Sequence, residues 1–370
     1  MRPLVGLVAT LASLCVATSA SAQILIGQTS GFTGPVAAGV KEVTDGAKLY
    51  IDAINAKGGV NGQPIELISL DDKFDPKLAA ENAKKLITEK NVAALFLTRG
   101  TPHTQAIMPL LSEYKVPLIA PSTGAMALRK PVHPWLFNVR ASYQREAERA
   151  VQHLNLIGID RIGIVHVDDS FGADVLEGAK KGLTAANKNP VFIEKYNREK
   201  WDFGKIAPLV ASSGVQALLF IGSGNAAADG IAAIRAAGSR AQIVTNSNNA
   251  SGGFVKSLGA NARGIIVTQV FPYERSLSAP IVKEAHDLAV AKGLEGVTPA
   301  MLEGFAAAKV LVAGLKRAGP SPTRARIQQA LDSLNKLDIG GLEVSFSPTD
   351  HSGLRFVDLS IIGEDGKFRR

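Results

Sequence analysis

The chain has 370 residues, 46% of them apolar and 20% charged, with a formal net charge of +8 and one cysteine. This composition supports a sizeable core and excludes a disordered or collagen-like chain, and the length allows more than one compact unit. No basic run concentrates the charge, so it reads as solvated faces and not as a nucleic-acid surface.

Residues 1–22 read as a secretory leader. Arg2 is their only charge, an apolar run from Leu4 to Val16 follows, and Ala20-Ser21-Ala22 offers a cleavage site, which makes Gln23 the first mature residue. The run is short for a membrane span; a retained anchor is the alternative. Cys15 lies inside this segment, so the cleaved chain carries no thiol for a disulfide, a metal or a nucleophile.

Strand-like and helix-like segments then alternate. Ile24–Gln28 reads as a strand. Thr44–Lys57 sets Ala47, Tyr50, Ile51 and Ile54 on one stripe, with Thr44 as cap and Gly58-Gly59 as stop. Ile65–Leu70 is a strand, Asp75-Pro76 opens a helix, and Ala93–Thr98, a helix near Thr104–Tyr114 and Val116–Ala120 continue the series. The pattern restarts with Arg161–Val167, Phe171–Ala186, Val191–Tyr196, a helix from about Phe203, Ala217–Ile221, Ala226–Ala237 and Gln242–Thr245. It ends near Pro272; helical segments at about Ala300–Arg317 and Pro322–Leu334 follow, and Leu342–Phe346 and Phe356–Ile362 read as strands. Repeated βα units imply parallel sheets with helices on both faces, here two doubly wound α/β lobes. Ligands in such sheets sit beyond the C-terminal strand ends.

The first such loop, "IGQTSGFTGP" (26–35), departs from both G-x-G-x-x-G and the G-K-[ST] phosphate loop, and a gap separates it from a helix beginning near Thr44. It reads as a tight turn or as a wall lending N–H and hydroxyl groups to a polar ligand. "TRGTPHTQ" (98–105) offers Thr101 at a helix N-terminus, suited to a carboxylate, or only as the helix cap. Arg99 and His103 either reach the cleft or stay solvated. "APSTGAM" (120–126) offers Ser122 and Thr123, or plain turn chemistry. In the second lobe, Asp169 or Ser170 caps the helix at Phe171, Ser223 and Asn225 follow one strand, and Asn246, Ser247 and Asn248 follow another. These loops are rich in hydroxyls and amides and poor in charge, which suits a neutral or zwitterionic ligand. Adjacent Asp71-Asp72 and Asp168-Asp169 point to opposite faces, and no metal spacing or G-x-S-x-G elbow appears. No catalytic constellation emerges, and no cofactor is expected.

"SGFTGPVAAGVKEVTDGAKLYIDAINAKGGVNGQPIELISLDDKFDPKLAAENAKKLI" (30–87), "APSTGA" and "SFGADVLEGAKKGL" resemble the branched-chain amino acid (Leu/Ile/Val) type of periplasmic solute-binding protein along essentially the whole mature chain. The resemblance implies an α/β fold of two Rossmann-like doubly wound lobes joined by three crossover hinge strands near Arg140–Ser142, Val270–Pro272 and Ser347–Gly353. Lobe 1 would take residues 23–141 and 272–349, and lobe 2 residues 142–271 and 350–370. It implies a monomeric periplasmic receptor of an ABC importer that closes around a small-molecule ligand and docks on an inner-membrane permease. It places the ligand-carboxylate hydroxyl at Thr101, the neighbouring donors at Ser122, Thr123 and Gly124, the second-lobe tyrosine at Phe171, a further aromatic near Ser223 or Gly224, and the first-loop aromatic near Gly39. The acidic partner of the ligand ammonium falls near Ser247, which has no charge, and the family's disulfide pair falls on Phe74 and Gly100. Arg99 and Phe32 complete the candidate set. The carboxylate half of the site is kept and the ammonium half lost, which points to an organic acid, an aromatic acid or a small amide. The other readings are an exported ligand sensor of the same fold and, from a different class, a Rossmann-type enzyme.

Overall fold

The computed structural model describes residues 23–370; the expected leader with its cleavage site, and Cys15, lie outside the described residues. The chain runs β1 (Ile24–Ser30), α1 (Ala37–Asn55), β2 (Ile65–Asp71), α2 (Pro76–Thr88), β3 (Ala94–Phe96), α3 (Thr101–Glu113), β4 (Leu118–Ile119), β5 (Leu136–Phe137) and α4 (Tyr143–Leu156). It continues through β6 (Ile162–Val167), α5 (Ser170–Ala185), β7 (Ile193–Tyr196), α6 (Ile206–Ser212), β8 (Ala217–Ile221), α7 (Gly224–Ala236), β9 (Gln242–Thr245), α8 (Gly252–Leu258) and β10 (Ile266–Gln269). α9 (Pro280–Ala291), α10 (Pro299–Ala318), α11 (Arg324–Asp332), β11 (Leu337–Asp338), β12 (Glu343–Val344), β13 (Asp358–Ile362) and β14 (Phe368–Arg369) complete it.

Two large sheets result. One has the order β2-β1-β3-β4-β5 and is parallel throughout. The other has the order β14-β13-β10-β9-β8-β6-β7 and is parallel except where the C-terminal β13 and β14 join antiparallel. Strand order reverses at β1 in the first sheet and at β6 in the second, the doubly wound arrangement that opens a crevice at the strand ends. The chain crosses between the lobes after β5, after β10 and before β13. At one crossing Leu354 N–H donates to Val139 at 2.7 Å and Gly353 N–H to Asn138 at 2.8 Å, so two passages lie side by side.

The core follows from the sequence pattern. Ile26, Phe96, Ile119 and Phe137 of the first sheet pack with Leu302, Phe305 and Val310 of α10, and Ile164, Leu218, Phe220 and Ile243 of the second pack with Val175 and Ile231. Each such side chain contributes about 1.5–3 kcal/mol on burial. Asp75 caps α2 by accepting from Lys77 and Leu78 N–H, with Pro76 at the first position, and Asp169 caps α5 through Phe171 and Gly172 N–H.

Two expectations need correction. α1 begins at Ala37, not near Thr44, because the chain turns into the helix directly after Pro35 with no side-chain cap. Thr44 is buried within the helix, where its hydroxyl accepts from Gln28. The sequence reading also passed over α4 and α9. α4 has a polar outer face that dilutes its apolar stripe, and α9, opened by Pro280 with no capping side chain, buries only Ile281, Val282, Ala285 and Ala289.

α1 and α10 touch backbone to backbone. A Cβ on Gly46 would lie 2.0 Å from Met301 O, and one on Gly304 would lie 1.7 Å from Val43 O. Gly304→Ala is therefore expected to lower stability by about 1–3 kcal/mol through overpacking. Thermal melting checks this; an unchanged midpoint would mean the two helices can part freely.

Candidate functional site

The site grows from two left-handed kinks. Leu97 (φ 56°) and Ala120 (φ 53°) follow β3 and β4. After them Arg99 and Ser122 still pair in parallel, and Ser122 N–H donates to Thr98 O at 2.7 Å. Buried non-glycine residues at positive φ store strain, which the surrounding sheet must hold in place. Their effect is to bring Arg99, Thr101, Ser122 and Thr123 together. The Thr101 and Thr123 hydroxyls lie 2.7 Å apart, and Arg99 Nη1 donates to Ser122 Oγ at 3.0 Å. Thr101 is not the helix cap: Gly100 (φ 95°) holds that position, without a side-chain bond.

Arg99 is not solvated. It is 6% exposed, and its Nη2 crosses the cleft to donate to Asn248 O at 2.6 Å. Asn248 Nδ2 donates to Ser223 Oγ at 3.0 Å, so Ser223 joins the cluster through Asn248. Phe171 meets the edge of Tyr143 at 4.9 Å. Phe32 is half-buried in the first loop. His103 is not at the surface. It is fully buried and stacks on Phe74 at 4.2 Å, and burial pushes its pKa down to about 4, which keeps the ring neutral.

Behind these loops lies a charge cluster that motif reasoning missed. Arg140 pairs with Glu146 and, at 3.5 Å, with Glu303, and its guanidinium lies 4.7 Å from the Tyr143 ring centroid. It also donates to Ser247 Oγ. Glu146 accepts from Ser247 N–H at 3.0 Å and from the Thr268 hydroxyl. Glu303 accepts from Ser122 Oγ at 2.7 Å. Burial alone would ease the proton off Arg140, but Glu303 and Glu146 raise its pKa above the ordinary arginine value. Ser247 itself is uncharged, yet the Glu146 carboxylate accepts from its N–H. The available signal was a lone Glu on each apolar stripe: Glu146 lies among Tyr143, Ala147 and Ala150, and Glu303 among Leu302, Phe305 and Ala306.

The first loop is a wall. Asp71 fixes it by accepting from Thr33 N–H at 3.1 Å and from the Thr33 hydroxyl at 2.6 Å. Pro35, Val36 and Gly39 line a cavity of about 30 Å³ between the lobes, together with Arg99, Gly224 and Asn248. Across the cleft, Asn225 N–H donates to Pro35 O at 3.0 Å and Ser170 to Gln105 at 2.6 Å. Glu42 of α1 accepts from Gly252 and Gly253 N–H at 3.0 and 2.8 Å. Phe74 and Gly100 are neighbours: a Cβ on Gly100 would lie 3.0 Å from Phe74 Cε2.

Removing Arg140 strands two buried carboxylates, so Arg140→Met is expected to cost about 3–5 kcal/mol in denaturant unfolding. A loss under 1 kcal/mol would mean that Glu146 and Glu303 find other partners. Asp72 gives a pH dependence. Burial pushes its carboxyl up to about 6, although Phe74 N–H and the Thr29 hydroxyl donate to it. The unfolded carboxyl titrates near 4, so this group's contribution is fully present below that pH and is lost as the pH rises through about 6. Asp72→Asn keeps the Phe74 bond and turns an amide N–H towards Thr29. It should melt higher than wild type at neutral pH, with the gap closing on acidification; a constant gap would sink this account.

Comparison with known proteins agrees with this architecture. The family model described as "Periplasmic binding protein" matches residues 23–364. A Leu/Ile/Val-binding protein homolog 3 from Brucella melitensis is 24% identical over 351 residues, covering 94% of this chain and 93% of that protein. The Leu/Ile/Val-binding protein of Escherichia coli K12 is 23% identical, covering 80% and 79%. Among solved structures, a substrate-binding periplasmic protein from Ralstonia solanacearum has a TM-score of 0.86 at 29% identity, covering 94% of this chain and 99% of that one. A possible leucine/isoleucine/valine-binding protein from Rhodopirellula baltica has a TM-score of 0.88 at 27% identity, covering 96% and 98%. These are binding proteins and not enzymes, and with the match running through nearly the whole described chain, this protein belongs to the type I periplasmic binding protein family.

Proposed function

We propose that this protein is the exported, periplasmic solute receptor of an ABC importer, and that its interlobe cleft captures a small organic acid by its carboxylate. The observation that carries the reading is Arg99. It is a buried guanidinium on the cavity wall with no carboxylate in ion-pairing distance among the described residues, while the nearby Glu146 and Glu303 are held by Arg140. A buried cation without an anion is costly, and a ligand carboxylate offsets that cost. Thr101 and Thr123 share one hydrogen bond, which leaves one of their two hydroxyl protons as a donor beside it, while the Ser122 proton is taken by Glu303.

Three of the four similar proteins described above are named for leucine, isoleucine and valine. An ammonium here would have to compete with Arg140 and the Ser122, Ser247 and Thr268 donors for Glu146 and Glu303, so the same ligands are disfavoured. Capture would close the lobes, and the closed pair would present the surface a permease reads.

Purified protein, stripped of carried ligand by unfolding and refolding, should be stabilised by carboxylic acids more than by leucine or valine. Ligand at a hundred times its dissociation constant adds about 2.7 kcal/mol. Arg99→Gln is expected to weaken acid binding by about 1.5–3 kcal/mol in calorimetry. A strong shift with leucine that survives Arg99→Gln would overturn the reading.

A further inference from the structure

Three spaces follow one another past Pro35. The innermost is the cavity at Arg99. The next, of about 10 Å³, is lined by Pro35, Phe74, Tyr196, Arg198, Trp201 and Ser223. The third is an open groove of about 650 Å³ that shares Pro35, Phe74, Arg198 and Trp201 with the second. Pro35 and Phe74 come from the first lobe, and Tyr196, Arg198 and Trp201 from the end of β7 and the turn after it. The inner cavity holds only a few atoms, whereas the outer groove has the size of a small-molecule pocket.

Tyr196 is the unusual member. Its ring is 4% exposed and packs against Phe203 at 5.0 Å and Phe220 at 5.9 Å. Its hydroxyl is buried and has no hydrogen-bond partner among the described residues. Gly222 is what leaves room at that hydroxyl: a Cβ there would lie 2.3 Å from Tyr196 Oη. Burial pushes the phenol's pKa up, so it stays a neutral donor. Of the groups beside it, Arg198 and Trp201 are already occupied. Arg198 pairs with Asp169 and sits over Phe74, and Trp201 Nε1 donates to Asp229 at 3.0 Å. A buried hydroxyl without a partner destabilises the fold and calls for a reason at that position.

We propose that Tyr196 Oη forms a second polar subsite, which donates to a hydrogen-bond acceptor at the far end of an elongated monocarboxylate whose apolar middle passes Pro35. The proposal rests on the carboxylate reading of Arg99. It makes the preferred ligand a keto- or carbonyl-bearing acid and not a simple fatty or aryl acid, because a site with a dedicated donor rejects analogues that leave it unpaired.

The probes are two near-isosteric pairs, 5-oxohexanoate with 5-methylhexanoate and 4-acetylbenzoate with 4-isopropylbenzoate, titrated calorimetrically into wild type, Tyr196→Phe and Arg99→Gln. In at least one pair the carbonyl acid is expected to bind wild type about tenfold or more tightly than its partner. Tyr196→Phe should erase that preference without lowering the melting temperature, since its ring keeps the Phe203 and Phe220 packing. Equal binding within both pairs, a preference that survives Tyr196→Phe, or no binding of any probe to wild type overturns the proposal. Arg99→Gln separates the two claims. Loss of all four acids there with no effect of Tyr196→Phe removes the subsite and keeps the carboxylate reading; binding untouched by Arg99→Gln removes the carboxylate reading itself.

Discussion

One guanidinium, that of Arg140, holds a carboxylate from each lobe at a place where the chain passes between them. Glu303 comes from α10 on the first lobe and Glu146 from α4 on the second. Through them the cluster reaches Ser122, Ser247 and Thr268, which belong to three strand-end segments. The geometry of the cleft depends on this arrangement. Ser122 Oγ can accept from Arg99 because its own proton is directed to Glu303, and the Ser247 loop is held by the backbone N–H that Glu146 accepts. A buried ion pair of this kind adds little net stability over apolar packing, but its loss is expensive, so it fixes one arrangement of loops against others.

The fold was legible because it is repetitive. Alternating apolar runs and helical stripes are written in period and punctuation: Asp75-Pro76 opens a helix, Gly58 and Gly59 end one at positive φ, and Asp169 caps α5. What was misread shares a cause. α1 starts at Ala37 without a capping side chain, so nothing in the residues marks its first turn, and Thr44 looked like a start only because it precedes the apolar stripe.

The candidate site was legible in its hydroxyls and not in its charges. Thr101, Ser122 and Thr123 stand at strand ends, where the topology alone directs attention. Arg99 was a candidate whose place, cleft or solvent, stayed open because a sequence does not show that Asn248, 149 residues away, closes over it. Glu146 and Glu303 were hidden for the converse reason: helix stripes are read by their apolar members, and a single carboxylate among them looks like noise. The pairing of Arg140 with both is a tertiary fact, spanning 163 residues for Glu303.

The bond from Arg99 Nη2 to the Asn248 carbonyl also bears on time as well as on affinity. It links the lobes by protein atoms alone, beside the place where a ligand's anionic end would lie. On the proposed reading, a ligand leaving the cleft would wait for that bond to break, together with the contacts of Glu42 and Pro35 to the second lobe. Residence is therefore set in part by the receptor's own closure, and ligands of quite different contact strength would share a common floor on how slowly they escape. A partner that pries the lobes apart would act on that floor directly and release the cargo without having to compete for it.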